Sequence, residues 1–146
     1  MSNCKILQMN EELVCNTPVP FYEMGISCGL PSEMGDIPPE MMLVPGVLTM
    51  GRTVSFVIAE GDSMIGLGIC EDDIAVIDRS IEAQHGDIIV AFINNEFNIK
   101  LLDLTHQKEG FIELKSANPK YPSFRIDEDD QFEVWGVVVY TIKKWK

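Results

Sequence analysis

The chain has 146 residues, 46% of them hydrophobic, with a mean hydropathy of +0.08 and a formal net charge of −12. That length suits one domain with a real core, and the composition is that of a soluble globular protein, not a disordered chain. The acidic balance argues against direct nucleic-acid binding, which needs clustered Lys and Arg, and no apolar run approaches the roughly 20 residues of a membrane span.

The first residues, "MSNCKILQMNEELVCN", place acids where an export signal would be basic and then apolar, so a cytoplasmic protein is expected. Cys4, Cys15, Cys28 and Cys70 form no CxxC pair and no regular spacing. In that compartment they read as reduced thiols. Residues 16–46 then carry six of the eight prolines, at Pro18, Pro20, Pro31, Pro38, Pro39 and Pro45. Proline removes a backbone donor and disfavours helix at the residue before it, so residues 1–50 read as an extended arm outside the core. The apolar residues Phe21, Tyr22, Met24, Ile26 and Leu30 suit an arm that docks, where a flexible linker would be polar and rich in Gly and Ser.

From Thr53 onward the signals are those of strands. "TVSFVIA" and "DIAVID" are short, β-branched and bounded by turn residues. "GDIIVAFINNEFNIKLLDL" reads as two strands joined at Asn94-Asn95, residues that tolerate the left-handed conformation of a tight hairpin. "GFIELKSAN" and "FEVWGVVVYTIKKW" supply further strands. The fold class expected is mainly β, a compact barrel-like domain over residues 51–146 preceded by the arm. The acidic run Asp127–Asp130 lacks the glycine and distal glutamate of a calcium loop and reads as a solvated turn.

One serine stands out. In "FVIAEGDSMIGLGI" an apolar strand stops at a small turn that offers Ser63. A serine nucleophile needs a base, because its hydroxyl is almost never ionised alone. His85, in "EAQHGDI", and His106, in "LTHQKEG", both sit in polar turns with no triad context. Lys100, in "EFNIKLLDL", is flanked by apolar residues. A free lysine has a pKa near 10.4, and burial lowers it by up to ~3–5 units, enough to make a usable base. A lysine in an alternating strand ordinarily points to water, however, and "GDSM" alone is ordinarily a turn. Alternation puts Lys100 opposite Phe97, Ile99 and Leu101, which leaves its burial open.

Taken together, Ser63 and Lys100, 37 residues apart, resemble the Ser–Lys dyad of the LexA/UmuD family, self-cleaving proteins of the bacterial DNA-damage (SOS) response. The blocks "GDSMIGLGI", "DDIAVID", "GDIIVAFINNEFNIKLL", "SANPKYPSFRI" and "FEVWGVVVYTIK" occur in that family's order and spacing, over residues 28–142. Where many relatives carry a second basic residue after the lysine, this chain has Leu101. The resemblance implies a nucleophile at Ser63, a general base at Lys100, and an oxyanion held by the backbone N–H groups of Asp62 and Ser63, with no metal or cofactor.

It also implies a substrate within the chain. Family members cut themselves between a small residue and a glycine ahead of the serine, and Cys28-Gly29 lies 35 residues before Ser63. Glycine allows a scissile backbone to approach a nucleophile closely. Only 28 residues precede Gly29, too few for the DNA-binding domain of a LexA-type repressor, so the resemblance is to the UmuD-like branch. That branch implies a homodimer, stimulation by a RecA filament on single-stranded DNA, and a shortened form that serves an error-prone, Y-family, UmuC-like DNA polymerase. Residues 29–146 would keep 20 acidic and 10 basic residues, a net charge of −10, and so remain a protein-binding module. Two alternatives stay open: a binding module of the same fold that never cuts its arm, and a mobile-element antagonist of LexA-type regulators.

Overall fold

A computed structural model describes residues 16–26, 39–50 and 52–145. Among these residues nine strands form one sheet: β1 (Asn16–Ile26), β2 (Glu40–Pro45), β3 (Val54–Ala59), β4 (Ile74–Asp78), β5 (Ile88–Ile93), β6 (Glu96–Asp103), β7 (Ile112–Lys115), β8 (Phe124–Ile126) and β9 (Phe132–Ile142). Their order across the sheet is β2-β1-β3-β4-β9-β5-β6-β7-β8. The mainly β class is as expected. The sheet curls in a barrel-like way but does not close, since β2 and β8 are its two edges.

Side-chain alternation along the strands divides the core. On β3, Val57 and Ala59 enter a cluster with Met64, Ile77, Val90, Phe97, Ile99 and Trp135. Val54 and Phe56, on the opposite parity, join Val19, Val44 and Val76. β5 sends Ile89, Ala91 and Ile93 into a third cluster with Leu102, Leu114 and Val137. Strands apolar on both parities are strands covered on both faces, and this is why β3 and β5 read as near-continuous hydrophobic runs. The β5–β6 hairpin turns at Asn94 and Asn95, with φ of 47° and 69°, the left-handed pair its sequence called for.

The proline-rich arm differs from its sequence reading in one respect. Its described stretches include two strands of the sheet, Asn16–Ile26 and Glu40–Pro45, and Val19 and Val44 are buried in the core. β1 pairs antiparallel with β2 from Asn16↔Pro45 to Phe21↔Glu40. It pairs in parallel with β3 only from Phe21↔Phe56 onward, through Tyr22↔Val57 to Ile26↔Ala59. Pro18 and Pro20 lie where the β1–β3 ladder is not formed, which is how a strand tolerates them. Strand β8 has no counterpart in the sequence reading. Among the described residues no helix is long and apolar enough to cross a membrane.

Candidate active site

β3 ends at Ala59, and Gly61 at φ 78° turns the chain so that Ser63 follows the strand directly. Lys100 sits near the middle of β6. In sheet order four ladder steps separate β3 from β6, and at ~4.8 Å per step a flat sheet would hold them ~19 Å apart. Instead Lys100 Nζ donates to Ser63 Oγ at 3.0 Å. The curl of the sheet brings the two together.

Both side chains are buried, each 3% exposed. Phe97 and Ile99 point into the core from one face of β6. Lys100 projects from the other face with Glu96 and Asn98, and these three line a cavity of about 310 Å³ with Ser63, Ser116, Tyr121, Pro122 and Phe124. The lysine is therefore covered by two loops, the Ser63 turn and the segment after β7, and not by the core itself. The Tyr121 ring is part of that cover, its centroid 5.9 Å from Lys100 Nζ.

The two loops are fastened to each other. Ala117 N–H donates to Ser63 O at 2.8 Å, and Gly66 N–H donates to Ala117 O at 2.8 Å. Asn118 Nδ2 donates to Asp62 O at 3.0 Å, and the Tyr121 hydroxyl donates to Asp62 Oδ1 at 2.5 Å. A short 3-10 turn, Ile65–Leu67, follows and ends at Gly68 in the left-handed conformation. The carbonyls of Asp62 and Ser63 are thus engaged. Among the described residues neither of their N–H groups donates to a backbone carbonyl.

Sequence reasoning did not single out Asn118 or Tyr121 individually, nor Ser116, whose Oγ is buried in this cavity without a hydrogen-bond partner among the described residues. Their one signal was membership of the block "SANPKYPSFRI". The histidines lie elsewhere. His85 Nδ1 accepts from Leu104 N–H at 3.0 Å, and His106 pairs with Glu109 and stacks on Phe111. Cys70 is a free thiol. The Asp127–Asp130 turn closes on itself, with Asp127 N–H donating to Asp130 Oδ2 at 3.0 Å. Among the described residues no group of three or more His, Cys, Asp or Glu could hold a metal ion. The candidate cleavage residues Cys28 and Gly29 fall outside the described residues.

The arrangement is a hydroxyl and an amine in hydrogen-bond contact, shielded from water at one wall of an open cavity. Such a pair is chemically suited to nucleophilic attack with a lysine base. Comparison with known proteins agrees with that reading at the level of family. Residues 20–139 match the model of the Peptidase S24-like family. The protein MucA of Salmonella typhimurium, and likewise that of Escherichia coli, is 36% identical over 126 residues, which cover 85% of this chain and 84% of MucA. The LexA repressor of Syntrophotalea carbinolica is 34% identical over 121 residues, 83% of this chain but only 58% of the repressor. The chain belongs to the S24 peptidase family, the LexA/UmuD group of self-cleaving SOS-type serine peptidases.

Proposed function

We propose that this protein is a UmuD-like autoprotease that cuts its own chain between Cys28 and Gly29 by a Ser63–Lys100 dyad. The observation that carries the reading is the 3.0 Å contact between two buried side chains from distant parts of the sequence. Burial costs an ammonium its hydration and favours the neutral amine. Neutral Lys100 takes the proton from Ser63 as Oγ bonds to the Cys28 carbonyl carbon. The N–H groups of Asp62 and Ser63 hold the oxyanion that forms. The tetrahedral intermediate expels the Gly29 amine, which receives the proton from Lys100, and water then hydrolyses the acyl-enzyme by the same base.

The course of the arm supports this substrate. β1 runs parallel to β3, and Ile26 pairs with Ala59, four residues before Ser63. Cys28 is two residues beyond Ile26, a reach of at most ~7 Å of chain. The arm therefore heads for the serine end of β3, which favours cleavage within one chain.

By analogy with the UmuD-like branch, the protein acts as a homodimer, RecA on single-stranded DNA stimulates the cut, and the shortened form serves an error-prone polymerase. Intact-mass measurement at pH 7 and pH 10, with and without RecA, ATP and single-stranded DNA, tests these steps. The expected product begins at Gly29, forms faster at high pH or with RecA, and is absent from Ser63→Ala and Lys100→Ala. An uncut chain under every condition would sink the protease reading.

A further inference from the structure

Strand β1 occupies an unusual place. β2 and β3 follow one another in the chain and run antiparallel, yet β1 is inserted between them. The Cys28–Gly29 bond lies in the connection from β1 to β2. A cut there leaves β1 joined to the rest of the sheet by no covalent bond. What then holds it is a six-residue ladder to β2, a partial ladder to β3, Val19 buried at 1% exposure among Val44, Val54, Phe56 and Val76, and Tyr22 edge-on to Trp135 at 5.3 Å. Those contacts are extensive but incomplete. Along Thr17–Pro20 the β3 ladder is missing, and a cavity of about 510 Å³ opens there between β1 and Arg52–Ser55. Its far side is fixed by the Arg52–Asp78 ion pair at 3.0 Å.

We infer that β2 and β3 form a strand-accepting slot for an extended, apolar, proline-bearing peptide, with β1 as its resident occupant. Strand addition of this kind takes affinity from main-chain hydrogen bonds and selectivity from pockets at alternate side chains. Here the main-chain bonds come chiefly from β2, and the selective pocket is the one filled by Val19. The open stretch of the β3 ladder accepts proline because it asks for no donor there. The inference rests on the proposed cut for its trigger: before the cut β1 is part of the fold, and after it β1 is an exchangeable ligand. The severed piece stays seated until another extended segment of the same chemistry replaces it, so cleavage and release are separate steps.

The test makes the cut independently of the dyad. A full-length Ser63→Ala chain carries the recognition sequence of a sequence-specific protease in place of residues 30–36, and is nicked by that protease. Native mass spectrometry should then find both pieces together in equal amounts. A fluorescent peptide of residues 16–26 should exchange into the nicked chain and not into the intact one. The same peptide with Val19→Asp should bind at least about tenfold more weakly, because a carboxylate would be buried without a partner. Separation of the pieces on cutting, failure of the peptide to exchange, equal uptake by the intact chain, or indifference to Val19→Asp would each overturn the slot. None of these outcomes depends on whether the wild-type chain cuts itself, which the intact-mass experiment decides.

Discussion

Gly66 donates its N–H to Ala117 O, and a methyl group on Gly66 would stand 2.4 Å from that same oxygen. The contact is backbone against backbone, so neither side can swing away. It is one of the two backbone hydrogen bonds, each 2.8 Å, between the turn that carries Ser63 and the loop that covers Lys100. Gly66→Ala should therefore push the loops apart, costing ~1–3 kcal/mol of stability as overpacking does. Self-cleavage should slow with it. Urea unfolding and the intact-mass assay on one preparation check both.

Lys100→Arg keeps a long nitrogen-bearing side chain but removes the base, since a guanidinium is not deprotonated in proteins. The expected loss of self-cleavage is on the order of 10²–10⁴-fold. Raising the pH to 10 should not restore it, whereas the wild-type rate should climb over that range. A variant that still cuts and keeps the wild-type pH profile would remove Lys100 from the reaction.

Tyr121→Phe deletes the hydroxyl that donates to Asp62 Oδ1 while keeping the ring beside Lys100. The site is partly exposed, so a loss of ~1 kcal/mol is expected, within the usual range for one hydrogen bond. That corresponds to roughly a fivefold effect on a rate governed by loop placement. Tyr121→Ala also uncovers the lysine and should slow cleavage further. Equal rates for the two variants would mean that the ring contributes nothing.

Asp103, at the end of the strand that carries Lys100, accepts from Lys115 Nζ at 2.7 Å and from Thr105 N–H at 2.8 Å. These contacts, the lysine first, hold its carboxyl well below the usual carboxylate range. A carboxyl lowered in the folded state adds stability wherever it is ionised in both states, above about pH 4. That stability is lost as the pH falls through the lower, folded value. Asp103→Asn should be less stable at pH 7 and should lose stability less steeply below pH 4. Urea titrations at several acidic pH values read out the difference.

The strands from β3 to β7, and β9, were legible because each is a short β-branched run between turn residues. β8 was not: Phe124–Ile126 is three residues long, and only the neighbouring β7 defines it as a strand. β1 was obscured by the prolines that argue against strands in general. They are admissible because one side of β1 is open along their length, a tertiary fact with no local signal. The pairing of Ser63 with Lys100 could be anticipated by resemblance. The burial of Lys100 could not be read from β6, since alternation gives a side chain's face but not what covers it. That cover comes from Asp62–Gly66 and Ser116–Phe124, brought together by contacts between positions more than fifty residues apart, as in Asn118 with Asp62.

Strand β9 lies between β4 and β5 and, among the described residues, joins in the ladder the half of the sheet that leads to Ser63 and the half that bears Lys100. In chain order it comes after both. During synthesis, then, serine and lysine emerge from the ribosome before the strand that joins their two halves of the sheet. A chain still lacking residues 132–142 has the chemical groups but not the strand that links β4 to β5. On the proposed self-cleavage, a half-made copy lacks the completed sheet that the cut would use.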